Sequence, residues 1–203
     1  MTREAETIII PFTGPREQIA PADGYRSTWL MSSMQALRDR GHLDAYFKQL
    51  DRSLHETMQG LVIGVWVPIT LARAHYEACD RLHLGANEQI ALGRAVSDRA
   101  QGAMLGTVVR MAKGAGVTPW TVLPQYRRLF ERGMRGGGIS VVKLGPKEAR
   151  IDIVACELFE VPYFRVAFRG ILQGIAGLFC RVSFIHDVPT TISTDASYRF
   201  QWV

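Results

Sequence analysis

The hydrophobic pattern of this chain changes period once, close to Gly136, and that change limits the folds open to it. Before Gly136, apolar residues recur at every third or fourth position, as they do from Leu30 to Leu54 and from Leu92 to Met111. This spacing is typical of amphipathic helices. After Gly136, short runs alternate apolar and polar residues, and one further helical stripe beginning at Pro162 interrupts them. The order predicts a helical N-terminal two-thirds followed by β-β-α-β-β.

A chain of 203 residues, 47% of them apolar, is long enough to bury one core without a disulfide or a metal. No internal repeat or low-complexity segment divides the sequence. We therefore expect a single α+β domain over residues 25–203, with helices packed on an open antiparallel sheet. Residues 1–24 are expected to form an N-terminal arm whose β-branched run, Thr7 to Ile10, predicts an edge strand.

Charge and cysteine usage exclude several classes of protein. The 24 basic and 19 acidic residues leave a net charge of +5, which does not by itself indicate a nucleic-acid partner. The first residues carry both charge signs, unlike a signal peptide, and no apolar run approaches the roughly 18 residues of a membrane span. The widely spaced Cys79, Cys156 and Cys180 do not suggest a disulfide framework. We expect a soluble, cytoplasmic protein.

The common catalytic motifs are missing from the sequence, which has no Gly-x-Ser-x-Gly elbow, no P-loop and no His-Glu-x-x-His pair. We therefore expect no enzymatic activity. The raw material for a metal site is His75 with Cys79, because side chains at i and i+4 of a helix can share an ion. The alternative is a buried cysteine beside a histidine without any ligand role, and no metal is expected.

Three glycines share one face of the last predicted helix, since Gly170, Gly174 and Gly177 lie at i, i+4 and i+7. Glycine costs about 1 kcal/mol relative to alanine inside a helix, so three of them indicate a close approach to this helix. Close packing on the sheet is one interpretation. A dimer contact and one wall of a ligand cavity are the others.

A basic cluster precedes the first C-terminal strand, where Arg128, Arg132 and Arg135 share one helix face. It is either a solvated face or a binding surface for an anionic membrane, an acidic protein or nucleic acid. Nucleic acid is the weakest of these partners, because no exposed aromatic residues are interleaved with the arginines.

The C-terminal third carries a recognisable pattern. A helix from Tyr163 to Gly174, with the core Gly-Ile-Leu-Gln-Gly, is followed by a strand, an acidic turn at Asp187 and a last strand ending Tyr198–Trp202. This pattern resembles the fold of the TRAPP vesicle-tethering core subunits and of vinyl-reductase-type sensor domains and, more distantly, of haem nitric-oxide-binding domains. With Leu92–Arg94 near mid-chain, it is most similar to an uncharacterised bacterial family of about this length. Glycine and aromatic patterns specify a fold better than a chemistry.

The resemblance implies a noncatalytic sensory or adaptor module that forms a homodimer and binds a small apolar ligand in an internal pocket. The alternative is a ligand-free tethering protein that acts through an unidentified protein partner. Candidate pocket walls come from the central helices and the glycine-bearing helix, and they are Trp66, Tyr76, Met104, Val108, Phe168 and Leu172.

The resemblance to haem nitric-oxide-binding domains can be examined in the sequence. Those domains carry a proximal histidine and a Tyr-x-Ser-x-Arg motif for the haem propionates. The nearest segment here, Tyr25-Arg26-Ser27-Thr28-Trp29, has no arginine at the last position. We therefore expect no cofactor, and a haem held by His75 or His186, or a lipid-like ligand, is the remaining alternative.

Overall fold

The computed structural model describes residues 6–104 and 119–203, without the side chains of residues 100–104. In these ranges the helices are α1 (Ser27–Asp39), α2 (Leu43–Gln49), α3 (His55–Gln59), α4 (Ile69–Asp80), α5 (Ala86–Met104), α6 (Pro119–Val122), α7 (Tyr126–Gly133) and α8 (Pro162–Ala176). The strands are β1 (Thr7–Ile10), β2 (Gly24–Arg26), β3 (Trp66–Pro68), β4 (Met134–Arg135), β5 (Gly138–Gly145), β6 (Glu148–Val154), β7 (Ser183–Val188) and β8 (Ala196–Trp202).

The strands form two antiparallel sheets. The larger sheet has the order β1-β5-β6-β8-β7, and a smaller one has the order β3-β2-β4. In β6 the side chains of Ala149, Ile151 and Ile153 are buried while Arg150 and Asp152 are partly exposed, as the period of two predicts. The predicted α+β fold with a C-terminal β-β-α-β-β order is confirmed. The smaller sheet is an addition that the sequence pattern did not indicate.

Two helices cross in backbone contact behind the larger sheet. A Cβ added at Gly170 of α8 would stand 2.0 Å from the carbonyl oxygen of Ile90 in α5, and one at Gly93 would stand 1.8 Å from that of Ala167. At Gly174 the nearest atom is the side chain of Ser97, at 2.7 Å. Real Cβ atoms do not approach other atoms this closely, so the three glycines allow α5 and α8 to meet.

The opposite face of α8 packs against the larger sheet and against α4 through aromatic side chains. The rings of Phe168 and of Tyr198 in β8 lie 5.7 Å apart, and the rings of Phe164 and of Tyr76 in α4 lie 4.5 Å apart. Such pairs add about 0.5–1.5 kcal/mol each to the area that they bury. The helix is therefore fixed on both sides, by α5 and by the sheet.

No helix in the described ranges combines the length and the hydropathy needed to cross a membrane.

Candidate ligand pocket

An apolar cavity of about 50 Å³ lies where α1, α7 and α8 meet the smaller sheet and the start of β5. Two helices each contribute a set spaced at i, i+3, i+4 and i+7, which is one face of a helix. The described lining residues are Tyr25, Trp29, Tyr126, Leu129, Phe130, Gly133, Met134, Ile139, Phe168, Ile171, Leu172 and Ile175. We call this cavity the Trp29–Tyr126 pocket.

Two hydrogen-bond donors in the lining have no partner among the described residues. They are the indole Nε1 of Trp29 and the hydroxyl of Tyr126, and both atoms are buried. Burial raises the pKa of Tyr126 well above its ordinary value of 10, so the phenol keeps its proton and can donate. A buried donor without an acceptor costs about 1–3 kcal/mol, so the fold carries two such costs at one cavity.

A third polar group of the lining is already bonded. The hydroxyls of Tyr25 and Tyr76 lie 2.8 Å apart inside the core. The hydroxyl of Tyr25 therefore has a partner, whereas the donors of Trp29 and Tyr126 have none among the described residues.

Gly133 lets the indole of Trp29 lie against the end of α7. A Cβ added at Gly133 would stand 2.7 Å from Nε1 of Trp29, which is closer than real contacts allow. The glycine therefore makes room for the indole at this wall of the cavity.

The predicted pocket residues divide between this cavity and other places. Phe168 and Leu172 of α8 line the Trp29–Tyr126 pocket. The side chain of Met104 is not among those that the structure describes, and Val108 lies outside the described residues. Trp66 and Tyr76 are not among the described lining residues of this cavity.

Trp66 and Tyr76 lie elsewhere for different reasons. Trp66 is on the edge strand β3, where the guanidinium of Arg26 lies 3.8 Å from its ring. Tyr76 is on the buried side of α4 and packs against other aromatic rings of the core. Trp66 therefore lies beside a charged side chain, whereas Tyr76 is packed among aromatic rings of the core.

The weak metal candidates belong to a bonded cluster in the core. The two ring nitrogens of His75 lie 2.8 Å from the hydroxyl of Tyr46 and 2.9 Å from that of Ser33, while the Cys79 sulfur lies 3.7 Å away. Burial lowers the pKa of His75 to about 3, so the ring is neutral. In the parts of the chain that the structure describes, no three His, Cys, Asp or Glu side chains are grouped to hold a metal.

The remaining predicted residues are found as follows. Gly170 and Gly174 contact α5, whereas a Cβ at Gly177 would meet its nearest neighbour among the described residues at an ordinary 3.4 Å. Arg128, Arg132 and Arg135 are exposed, and Arg135 forms an ion pair of 2.6 Å with Asp23. The arginines lie on the solvent side of α7 and β4, while the other side of α7 lines the pocket.

Trp29, Tyr126 and Gly133 are among the pocket residues that the sequence analysis did not name. The spacing of Tyr126, Leu129, Phe130 and Gly133 is a signal that was available, because it marks one face of a helix. The prediction for this segment was based on its arginines, which lie on the opposite face of the helix.

No family model and no curated protein matches this chain. Solved structures do match this chain. An oxygen-binding H-NOX domain related to soluble guanylate cyclases matches with a TM-score of 0.60 and 12% identity, over 87% of this chain and 94% of that one. The structure of a point mutant of the T. tengcongensis H-NOX gives a TM-score of 0.60 and 12% identity, over 87% and 97%. The chain has the fold of H-NOX domains.

This likeness corrects two predictions. The resemblance to TRAPP subunits and vinyl-reductase-type domains is not supported, whereas the more distant resemblance to haem nitric-oxide-binding domains is. The prediction that no cofactor is expected is wrong. A structure from a study of haem distortion in the H-NOX family matches this chain with a TM-score of 0.60 and 13% identity, over 87% of this chain and 94% of that one.

The lining of the Trp29–Tyr126 pocket does not fit a haem. Haem iron is held by histidine, by a cysteine thiolate, by tyrosine or by methionine beside histidine, and no histidine or cysteine is among the described lining residues. Of the other candidates, Tyr25 is bonded to Tyr76, Tyr126 keeps its proton, and Met134 has no histidine beside it in the described lining. The described lining also has no cation for two propionates.

Size leads to the same conclusion. A buried water needs about 10–15 Å³ of cavity volume, so a cavity of about 50 Å³ has room for about four water-sized groups. A porphyrin is several times larger.

Proposed function

We propose that this protein is a noncatalytic sensor module that binds a small, uncharged molecule in the Trp29–Tyr126 pocket. The observation that carries the proposal is that Trp29 and Tyr126, which line an otherwise apolar cavity, each have a buried donor without a partner among the described residues. A ligand that accepts a hydrogen bond removes a cost that the free protein bears. A ligand-free tethering protein would have no use for these donors.

The chemistry of the lining defines the ligand class. Apolar side chains favour a compact, mostly hydrocarbon body, and the two donors favour a carbonyl or ether oxygen. A full charge is disfavoured, because no charged side chain is among the described lining residues to offset its desolvation. The size of the cavity favours a molecule of about three to five non-hydrogen atoms.

The likeness to H-NOX domains supports the sensor role at the level of fold, since two of the matching structures are of an oxygen-binding domain and of H-NOX activation. The absence of a paired acid and base from the described lining supports the noncatalytic role. The homodimer and the unidentified protein partner expected from the sequence stay predictions.

Stabilisation by ligand tests the proposal. We expect butanone to raise the unfolding midpoint of the wild type in a saturable way, because a ligand that binds only the folded state stabilises it. 2-Methylbutane has a similar shape without an oxygen and should bind at least about fivefold more weakly, the equivalent of one hydrogen bond of about 1 kcal/mol. Equal stabilisation by both, or by neither, contradicts the proposal.

Haemin is the comparison ligand. We expect the absorption spectrum of added haemin to be the same with the wild type and with Tyr126→Phe, since no described lining residue fits as an axial ligand. A one-to-one complex whose spectrum changes in Tyr126→Phe would show that the pocket opens to ligate haem, against the proposed small ligand.

A further inference from the structure

A surface loop exposes three β-branched side chains within four residues. Val62 is 65% exposed, Ile63 is 68% exposed and Val65 is 42% exposed. Single exposed aliphatic residues are ordinary, but a contiguous group of them marks an interaction surface. The loop lies immediately before β3, well separated in sequence from the pocket helices α7 and α8.

This loop is held in place by the start of α1. The hydroxyl of Ser27 donates to the carbonyl of Val62 at 2.7 Å and accepts from the N–H of Val65 at 3.0 Å. The backbone N–H of Ser27 donates to the carbonyl of Val65 at 2.9 Å. The fold therefore maintains the exposure of these side chains, since Ser27 is itself fully buried.

Cations and an indole adjoin the exposed loop. The guanidinium of Arg26 donates to the carbonyls of Gly64 at 2.9 Å and Arg132 at 3.2 Å, and it stacks on Trp66 at 3.8 Å. Arg135 lies 5.7 Å from the same ring. We call this group of side chains the Trp66 patch, and its members are Val62, Ile63, Val65, Trp66, Arg26 and Arg135.

The smaller sheet brings these groups together. Its register pairs Arg26 with Trp66 and Gly24 with Arg135. A Cβ at Gly24 would stand 3.1 Å from the guanidinium of Arg135, so the glycine leaves room for that side chain to lie across β2. Asp23 offsets the charge of Arg135, and the exposed Glu131 lies beside Arg132 in sequence.

We propose that the Trp66 patch docks the protein on an anionic membrane surface. On such a surface, lipid phosphate groups and the acyl region lie close together. The phosphates would bind the arginines, and the acyl region would bury Val62 and Ile63. Tryptophan favours the boundary between the two. An acidic protein would satisfy the arginines but would need a separate apolar cleft for the loop, so the membrane fits the whole patch with one partner.

Sedimentation with vesicles tests this proposal on the full chain. We expect binding to vesicles of phosphatidylcholine with about 30% phosphatidylserine to be at least tenfold tighter than binding to phosphatidylcholine alone, since each basic residue adds about 1 kcal/mol. The double variant Val62→Asp, Ile63→Asp should lose at least tenfold in binding to the anionic vesicles. The control Ile192→Asp, at a residue 48% exposed on the loop between β7 and β8, should bind as the wild type does.

Three results would overturn the proposal: no binding to anionic vesicles, equal binding to both vesicle types, or undiminished binding by the double variant. Fluorescence supplies a second readout, because the emission of Trp66 should shift to shorter wavelength on anionic vesicles. That shift should be absent from Trp66→Phe. A bound wild type whose emission shift persists in Trp66→Phe also contradicts docking through this patch.

Discussion

The indole nitrogen of Trp29 lies so close to Gly133 that a single methyl group there would stand 2.7 Å from it. The two residues come from α1 and from the end of α7, and the space between these helices is one side of the pocket. A glycine at this position and an unpartnered donor beside it therefore belong to the same wall of the cavity.

Substitution of Gly133 should close the pocket. We expect Gly133→Ala to weaken butanone binding at least about tenfold, because the methyl group must displace the indole by several tenths of an ångström or more. The control is Gly85→Ala, where an added Cβ meets nothing within 4 Å. Titrations followed by thermal unfolding compare the two, and unchanged affinity in Gly133→Ala would contradict the proposed position of the ligand.

Removal of an unpartnered donor should have opposite effects on stability and on binding. We expect Tyr126→Phe to raise the free energy of unfolding of the free protein by about 1 kcal/mol, because the cost of a buried hydroxyl without a partner disappears. The same variant should bind butanone several times more weakly.

Tyr46→Phe is the matched control for that variant. The hydroxyl of Tyr46 is bonded to His75 at 2.8 Å, so its removal should lower the free energy of unfolding by about 1–3 kcal/mol. Urea unfolding measures both proteins. Loss of stability in Tyr126→Phe equal to that in Tyr46→Phe would show that the Tyr126 hydroxyl has a partner.

The buried His75 should make stability depend on pH. Its pKa is about 3 in the folded protein, against about 6.5 when unfolded, so below pH 6.5 only the unfolded chain takes up the proton. Stability should therefore be fully present above pH 6.5 and fall by about 1.4 kcal/mol for each pH unit below it.

A pair of histidine variants isolates this effect. Between about pH 6.5 and pH 5, the stability of His75→Gln should decline less steeply with falling pH than that of the wild type. His186→Gln, at an exposed residue of β7, should keep the wild-type slope. Urea unfolding at several pH values provides the data, and identical slopes for all three proteins would refute the assignment to His75.

Gly170 and Gly177 should respond differently to substitution by alanine. Gly170→Ala should destabilise the protein by about 1–3 kcal/mol or more, because the methyl group would stand 2.0 Å from the carbonyl oxygen of Ile90. Gly177→Ala should be neutral or stabilising by about 0.5 kcal/mol, since its φ of −59° suits alanine and its nearest described neighbour is at 3.4 Å. Equal effects in a denaturant titration would contradict the close crossing of α5 and α8.

Periodicity was sufficient for much of the fold. The stripe of α8 and the alternation of β6 are long enough to show which face is buried, and the structure agrees with both. The strands of the smaller sheet could not be found in this way. They have three, three and two residues, too few to establish a period, and they pair between distant parts of the chain.

The site was harder to predict than the fold. The i, i+3, i+4, i+7 spacing of Tyr126 and Gly133 could have identified one pocket wall. No pattern shows that the donors of Trp29 and Tyr126 lack partners, because this depends on every residue packed around them in three dimensions. Trp66, which was predicted to line a pocket, is half-buried beneath the guanidinium of Arg26.

The indole N–H resonance of Trp29 in a ¹H–¹⁵N NMR spectrum tests the central claim most directly. It can be assigned by its loss in Trp29→Phe. The indole of Trp120, which already donates to the carbonyl of Pro146 at 2.9 Å, is the internal reference. We predict that butanone shifts the Trp29 resonance downfield in a saturable way while the Trp120 resonance stays in place, and that 2-methylbutane produces no such downfield shift. A Trp29 resonance that does not respond to butanone would contradict a ligand pocket at Trp29 and Tyr126.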